Sequence, residues 1–508
     1  MTLPGSPDPA RRTTPRTRRA VALAAAAAGL AVAGVAVAAP APLRLQAAVA
    51  DYLASHAGAA TPPTARAAGG SGVPAATPQA RCGPGSLPET GRQGRVALAD
   101  YASGRAAKGY TCNAAQVGHI GSTGGFKTFR YVDRTGRVCA FYDGTLLFPT
   151  AVFHQEAGGV HVLDMSDPAH PVETARLVTV AADTPHESLV LNPVRGLLAA
   201  AAGNAATLPG VIDVYDVSQD CRYPVLRSTS PLGILGHESG FSPDGRTLWV
   251  STTAQAGVTA VDVTNPVLPS ILWHNTTYTF HGMHLSADGR RLYGADLGSS
   301  HGLTILDVGQ IQDRAATPVV TEVSHLTWPE VSIPQNTIPV TIKGHRYLVE
   351  FDEYARSATQ YNAADPVGAA RMINVDDERH PRVVSTMRLA VNQPDARATD
   401  QQNDPGATYG VQGYAAHYCG VPRTVDPGIV ACSFILSGLR VFNIADPLHP
   451  REVAYFNKPA PNLLPLASGS YAMSAPAFDI ASQQVWYTDG DSGFYAVRLT
   501  NGAWPKGL

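Results

Sequence analysis

Apolar and polar residues alternate along this chain in short bursts, and one burst keeps returning. Val160-His161-Val162-Leu163-Asp164-Met165-Ser166-Asp167-Pro168 runs on to Pro171, Val258-Thr259-Ala260-Val261-Asp262-Val263-Thr264-Asn265-Pro266 to Pro269, and Leu439-Arg440-Val441-Phe442-Asn443-Ile444-Ala445-Asp446-Pro447 to Pro450. Alternation places successive side chains on opposite faces of a strand. Asp, Ser, Thr and Asn then favour a turn through bonds to nearby backbone, and proline, which cannot donate to a ladder, ends the strand. Weaker copies stand at 212–218, 303–308 and 371–377, and Gly493–Leu499 keeps the apolar pattern without the proline pair. Seven similar units predict a repeat architecture.

A second pattern precedes the phrase. Phe241-Ser242-Pro243-Asp244-Gly245-Arg246-Thr247-Leu248-Trp249-Val250 and Leu285-Ser286-Ala287-Asp288-Gly289-Arg290-Arg291-Leu292-Tyr293 each read as strand, tight turn, strand. Asp-Gly between apolar runs is a hairpin signal because glycine tolerates positive φ. Each unit therefore predicts four antiparallel strands, and seven such sheets arranged radially make an all-β, seven-bladed β-propeller. The phrase V-x-V-x-D-x-S-D-P-x-x-P resembles the LVIVD repeats of bacterial exported proteins, whose repeats are taken to be propeller blades. The resemblance runs from about Val138 to Leu499 and implies architecture rather than chemistry, since propellers host unrelated functions.

The blades are expected at 134–182, 183–232, 233–276, 277–325, 326–390, 412–460 and 468–502, with a six-bladed ring carrying one irregular unit as the alternative. Phe126-Lys127-Thr128-Phe129-Arg130-Tyr131-Val132 is expected to close the ring as the outer strand of the last blade. In domain terms the reading is a signal peptide or signal anchor at 1–39, a flexible Ala/Pro/Gly-rich linker at 40–91, a pre-propeller segment at 92–125, the propeller at 126–502 and a tail at 503–508. A helix over 92–107 is weakened by Gly104.

The leader sets the compartment. Arg11, Arg12, Arg16, Arg18 and Arg19 precede an uncharged apolar run from Ala20 to Ala39, and Ala36-Val37-Ala38 offers a cleavage site. Export follows, by the general or the twin-arginine route, with membrane attachment only if the segment stays as an anchor. Six cysteines suit an oxidising compartment. Cys419 is expected to pair with Cys432, Cys82 with Cys112, and Cys139 with Cys221, the alternative being buried thiols. A net charge of −2 over 508 residues argues against a nucleic-acid partner. Nothing in the chain calls for more than a monomer.

Aligning the inner strands brings out the candidate chemistry. Blade two offers Pro185-His186-Glu187-Ser188, blade three Gly236-His237-Glu238-Ser239, blade four Phe280-His281-Gly282, blade five Trp328-Pro329-Glu330 and blade six Ala416-His417-Tyr418; blade seven has Met473-Ser474-Ala475. Residues at one repeat position form a ring around a propeller axis. His186, His237, His281 and His417 with Glu187, Glu238 and Glu330 are thus candidate ligands for a divalent metal ion in the central channel. Equally, a histidine at a fixed repeat position reads as a structural residue bonded to backbone. His and the next Glu aim the same way only if the strand begins with a bend.

Other features read as structural. Glu350, Asp352 and Glu353 form an acidic strand end or a weak calcium site, and Asp489-Gly490-Asp491-Ser492-Gly493 a hairpin turn. The polar excursions at 355–366 and 392–411 are expected to rim a channel mouth. No common hydrolase or nucleotide-binding motif is present. The leading expectation is an exported propeller that binds a protein, glycan or small molecule. The alternative is a metal-dependent enzyme, oxidative or hydrolytic, built on the His/Glu ring.

Overall fold

Asp and Asn side chains build the turns that make the repeats. In the first phrase the Asp164 carboxylate accepts from the Ser166 N–H and hydroxyl, and Asp167 accepts from the Ala169 N–H. Asp262 with Asn265, and Asn443 with Asp446, do the same in blades three and six. Two such turns in series reverse the chain and deliver it to the outer strand.

The computed structural model describes residues 73–144, 158–202, 210–252, 257–298, 300–355, 361–404, 413–461 and 468–508. The leader expected at 1–39 and the first part of the expected linker lie outside them. Seven antiparallel sheets form a β-propeller. Blade one holds Thr128–Val132, Val138–Asp143, Val160–Asp164 and Val172–Leu177; blade two Val190–Asn192, Leu197–Ala201, Ile212–Asp216 and Val225–Ser230. Blade three holds Ser239–Phe241, Thr247–Thr252, Gly257–Asp262 and Ser270–Asn275; blade four Phe280–Leu285, Arg291–Asp296, Gly302–Asp307 and Thr321–Leu326. Blade five holds Ile333–Ile342, His345–Glu353, Ala370–Asn374 and Arg382–Met387. Blade six holds Ala416–Gly420, Ile429–Phe434, Gly438–Asn443 and Arg451–Asn457, with Tyr110–Cys112 added as a fifth strand.

The ring closes differently from the sequence expectation. Blade seven combines Ala477–Asp479, Gln484–Asp489 and Gly493–Leu499 with Ala114–Ile120, which pairs along Gly493–Leu499. Thr128–Val132 is instead the first strand of blade one. The burial pattern explains the choice: Tyr131 is buried with Phe141 and Leu198 between blades one and two, whereas Ala114–Ile120 leaves Ala115, Gln116 and His119 exposed, as an outermost strand can. Asp489 and Gly493 face one another across the expected hairpin turn.

The core lies between neighbouring sheets. Trp249 and Ala260 of blade three pack with Phe280, Leu292 and Leu306 of blade four; Val441 and Phe456 of blade six pack with Val485 and Tyr495 of blade seven. Ala503 and Trp504 join that last cluster. All three expected disulfides form, Cys419–Cys432 between register partners of one blade and Cys139–Cys221 between blades one and two.

Upstream, the helix expected over 92–107 shrinks to Leu98–Ala102 and a short turn at Ala106–Lys108, with Gly104 at φ +74° between them. Glu89 pairs with buried Arg440 of blade six, and Cys82–Cys112 fastens this segment to itself. The acidic excursion after Asn392 is neutralised from here: Arg92 meets Asp395 and Asp400, and Arg95 meets Asp404.

Candidate metal centre

Local backbone departures, not regular strand, aim the ring residues inward. His186 and Glu187 precede the first strand of blade two, and His186 has φ +53°. That left-handed residue supplies the bend needed for both side chains to face one place. His237 and Glu238 likewise precede their strand, and Glu187 bridges Glu238 in parallel. His281 lies inside a register shift between Phe280 and Met283, and His417 inside one between Ala416 and Cys419. Such bulges re-aim side chains. Ser251 holds His281 from the next blade by donating to its carbonyl at 2.6 Å.

The side chains close a circuit. His237 Nε2 is 3.0 Å from His281 Nε2, which is 2.9 Å from Glu353 Oε1. Glu353 Oε2 is 3.0 Å from His417 Nε2, which is 3.6 Å from Glu187 Oε1. Glu187 Oε2 returns to His237 Nε2 at 3.5 Å. All five residues are buried. The ring of half-buried His186 lies edge-on to His237, centroids 4.7 Å apart.

An outer layer fixes these groups. His417 Nδ1 lies 2.7 Å from the Met473 carbonyl. A carbonyl only accepts, so Nδ1 carries a proton and Nε2 is the nitrogen turned to the chamber. Tyr418 and Gln335 donate to Glu187 Oε2 at 3.0 and 3.1 Å. Buried Lys127 pairs with Glu238 and sits 3.9 Å over the Tyr418 ring. Asn336 also donates to Glu238. His281 Nδ1 makes no hydrogen bond of normal length, but it faces Glu187 Oε2 at 3.5 Å and Glu238 Oε2 at 3.8 Å.

Charge is concentrated here against the cost of burial. Burial works against the His281 cation, yet Glu187 and Glu353 outweigh it and raise the imidazole to about 10. Burial would raise Glu353, but His281 and His417 pull it down to about 2. Glu187 goes the other way: its burial, with Glu353 and Glu238 nearby, raises it despite those histidines.

Six of the seven residues proposed from sequence lie in or beside this chamber. Glu330 does not join its donor groups; it is buried where it acts on Arg371 and Arg388 of its own blade. The inner strand of blade five begins at Ile333, and the residue in its register shift is Gln335. The carboxylate of that blade comes from Glu353, opposite Ile333 on the second strand. Glu353 was read as part of an acidic strand end; its neighbours Glu350 and Asp352 are both engaged by buried Arg371 rather than by an open calcium loop. Lys127, Gln335 and Tyr418 were missed, because only Tyr418 adjoins a repeated histidine.

No protein-family model matches the chain, and no curated protein matches it. The resemblance to LVIVD repeats therefore stands on the turn phrase alone. Among solved structures, the chain is similar to the periplasmic gluconolactonase PpgL of Pseudomonas aeruginosa, with 15% identity over 66% of this chain and 89% of that one and a TM-score of 0.43. It is also similar to hydrazine synthase of Kuenenia stuttgartiensis, with 12% identity over 75% and 97% and a TM-score of 0.45. For Raptor of Chaetomium thermophilum the figures are 12%, 75%, 29% and 0.44. Likeness at this level carries neither substrate nor activity.

Proposed function

We propose that this chain is an exported β-propeller that binds a divalent first-row transition-metal ion in its axial chamber. One observation carries the reading: five donors from blades two to six close a circuit with neighbouring separations of 2.9 to 3.6 Å. Donors about 2.0–2.2 Å from one tetrahedral ion stand roughly 3.3–3.6 Å apart; the two separations from Glu187, 3.5 and 3.6 Å, meet that spacing, and the three hydrogen-bonded ones of 2.9 to 3.0 Å would widen slightly on binding. Imidazole with carboxylate suits zinc, copper, iron or nickel better than calcium or magnesium. The proton on His417 Nδ1, which leaves Nε2 turned to the chamber, adds support. Export rests on the arginine-rich leader and on three disulfides, and no helix among the described residues is long and apolar enough to cross a membrane.

The test is metal retention. Full-length protein stripped with chelator, loaded with Zn²⁺ and dialysed is expected to keep at least one equivalent, and His281→Ala to lose at least tenfold in affinity with the propeller still folded by circular dichroism. Wild-type protein that keeps no zinc, copper, iron or nickel overturns the metal reading. The chamber is then an ion-pair network joining blades, and the chain is a scaffold for a protein, glycan or small molecule.

A further inference from the structure

The chamber has a second set of donors, and one residue belongs to both. Glu187, His281 and Glu353 bring ligand atoms within 4.8 Å of one another, and so do His186, Glu187 and His237. Glu187 is the shared member: its Oε1 lies 3.6 Å from His417 Nε2, and its Oε2 lies 3.5 Å from both His237 Nε2 and His281 Nδ1. Resting on the metal reading above, we infer that the chamber is a two-metal centre bridged by the Glu187 carboxylate. The inner ion takes His281, His417, Glu353 and Glu187 Oε1; the outer ion takes His186, His237 and Glu187 Oε2.

Three features of the chain call for this division. The five-donor circuit leaves His186 out, although this imidazole shares a donor group with Glu187 and His237 and packs on the Phe126 ring, centroids 4.8 Å apart, as His417 does at 5.5 Å. The 3.0 Å approach of His237 Nε2 to His281 Nε2 is a hydrogen bond when one ring carries a proton there. It also places a nitrogen of one donor group directly against a nitrogen of the other. The left-handed backbone at His186 is unfavourable for a residue with a Cβ, and it serves to turn this imidazole toward Glu187 and His237.

The two positions would differ in use. Four protein donors saturate the inner ion in the manner of a structural site, while three leave the outer ion an open position. That position lies on the side of His186, the half-buried member of the group, where water or a small oxygen-donor ligand can bind. Bridged ions of this kind stand about 3.5–4 Å apart, close enough for paired copper spins to couple.

Copper tests this without a variant. Chelator-stripped full-length chain is titrated with Cu²⁺, dialysed, and measured by atomic emission and electron paramagnetic resonance. The expectation is two coppers per chain, with the signal rising to one equivalent and falling as the second ion binds. His186→Gln is expected to hold one copper and to keep the signal of an isolated ion. Retention of only one copper by wild type, or two with doubled signal, overturns the bridged centre and leaves the single-metal reading standing. Retention of none removes the metal reading itself.

Discussion

His281 and Glu353 show how much burial a small group of residues must offset. Each holds its charge in a buried chamber because charged neighbours surround it, Glu187 and Glu353 for the imidazole, His281 and His417 for the carboxyl. The raised imidazole, about 10 against an ordinary 6.5, contributes stability that is complete below pH 6.5 and lost as pH rises through 10. The lowered carboxyl, about 2 against 4.5, contributes stability present above pH 4.5 and lost as pH falls through 2. In metal-free protein, Glu353→Gln should therefore lower Tm most between pH 4.5 and 6.5 and progressively less on either side. A Tm difference that stays constant from pH 3 to 10 would show that the pair does not carry the charge. Lys127 makes a similar case. Removing it leaves buried Glu238 with only the more distant His281, 3.8 Å away, so Lys127→Met should cost up to about 3–5 kcal/mol in urea unfolding; a loss under about 1 kcal/mol would mean that His281 and Asn336 suffice.

The same scale shows what the sequence could tell. His186, His237, His281 and His417 were legible because each stands at one position of a repeat. Glu353 was not, since it reaches the chamber from the end of a second strand, where no other blade places a carboxylate in the circuit. Glu330 lies away from the circuit because Trp328-Pro329-Glu330 precedes its inner strand at a different offset, and a shift of a few residues sends a side chain to another neighbour.

At the scale of elements, the turn phrase was a reliable guide because its chemistry is local. Asp164, Asp262 and Asn443 form their turns with residues two places ahead, whatever the rest of the chain does. Ring closure is non-local, and there the reading failed: apolar alternation at 126–132 and 114–120 suits either role, and burial of Tyr131 between blades decides it. The bulges at His281 and His417 were also beyond reach, since alternation assumes regular pleating. Cys139–Cys221 joins two blades across 82 residues of chain. Loop-closure entropy for such a span corresponds to about 4.5 kcal/mol. The Cys139→Ser/Cys221→Ser double variant should lose up to that amount in denaturant unfolding, and an unchanged midpoint would show that blade packing alone holds this joint.

Across the whole molecule, strands from the two ends of the propeller segment lie side by side, Ala114–Ile120 against Gly493–Leu499. That clasp keeps seven sheets in a ring, and the ring brings donors from separate blades to one axis. A deletion ending at Ile120 removes the clasp along with Tyr110–Cys112 and should abolish cooperative thermal unfolding; a sharp transition near the wild-type Tm would place closure elsewhere. The function proposed for this ring depends on metal in its axial chamber. Anomalous diffraction from crystals of zinc-loaded protein, recorded on both sides of the zinc edge, tests it most directly. An anomalous peak is expected about 2.0–2.2 Å from ring nitrogens of the chamber histidines and from Glu187 oxygen. A chamber with no peak, its imidazoles and carboxylates still paired with one another at the present separations, would contradict it.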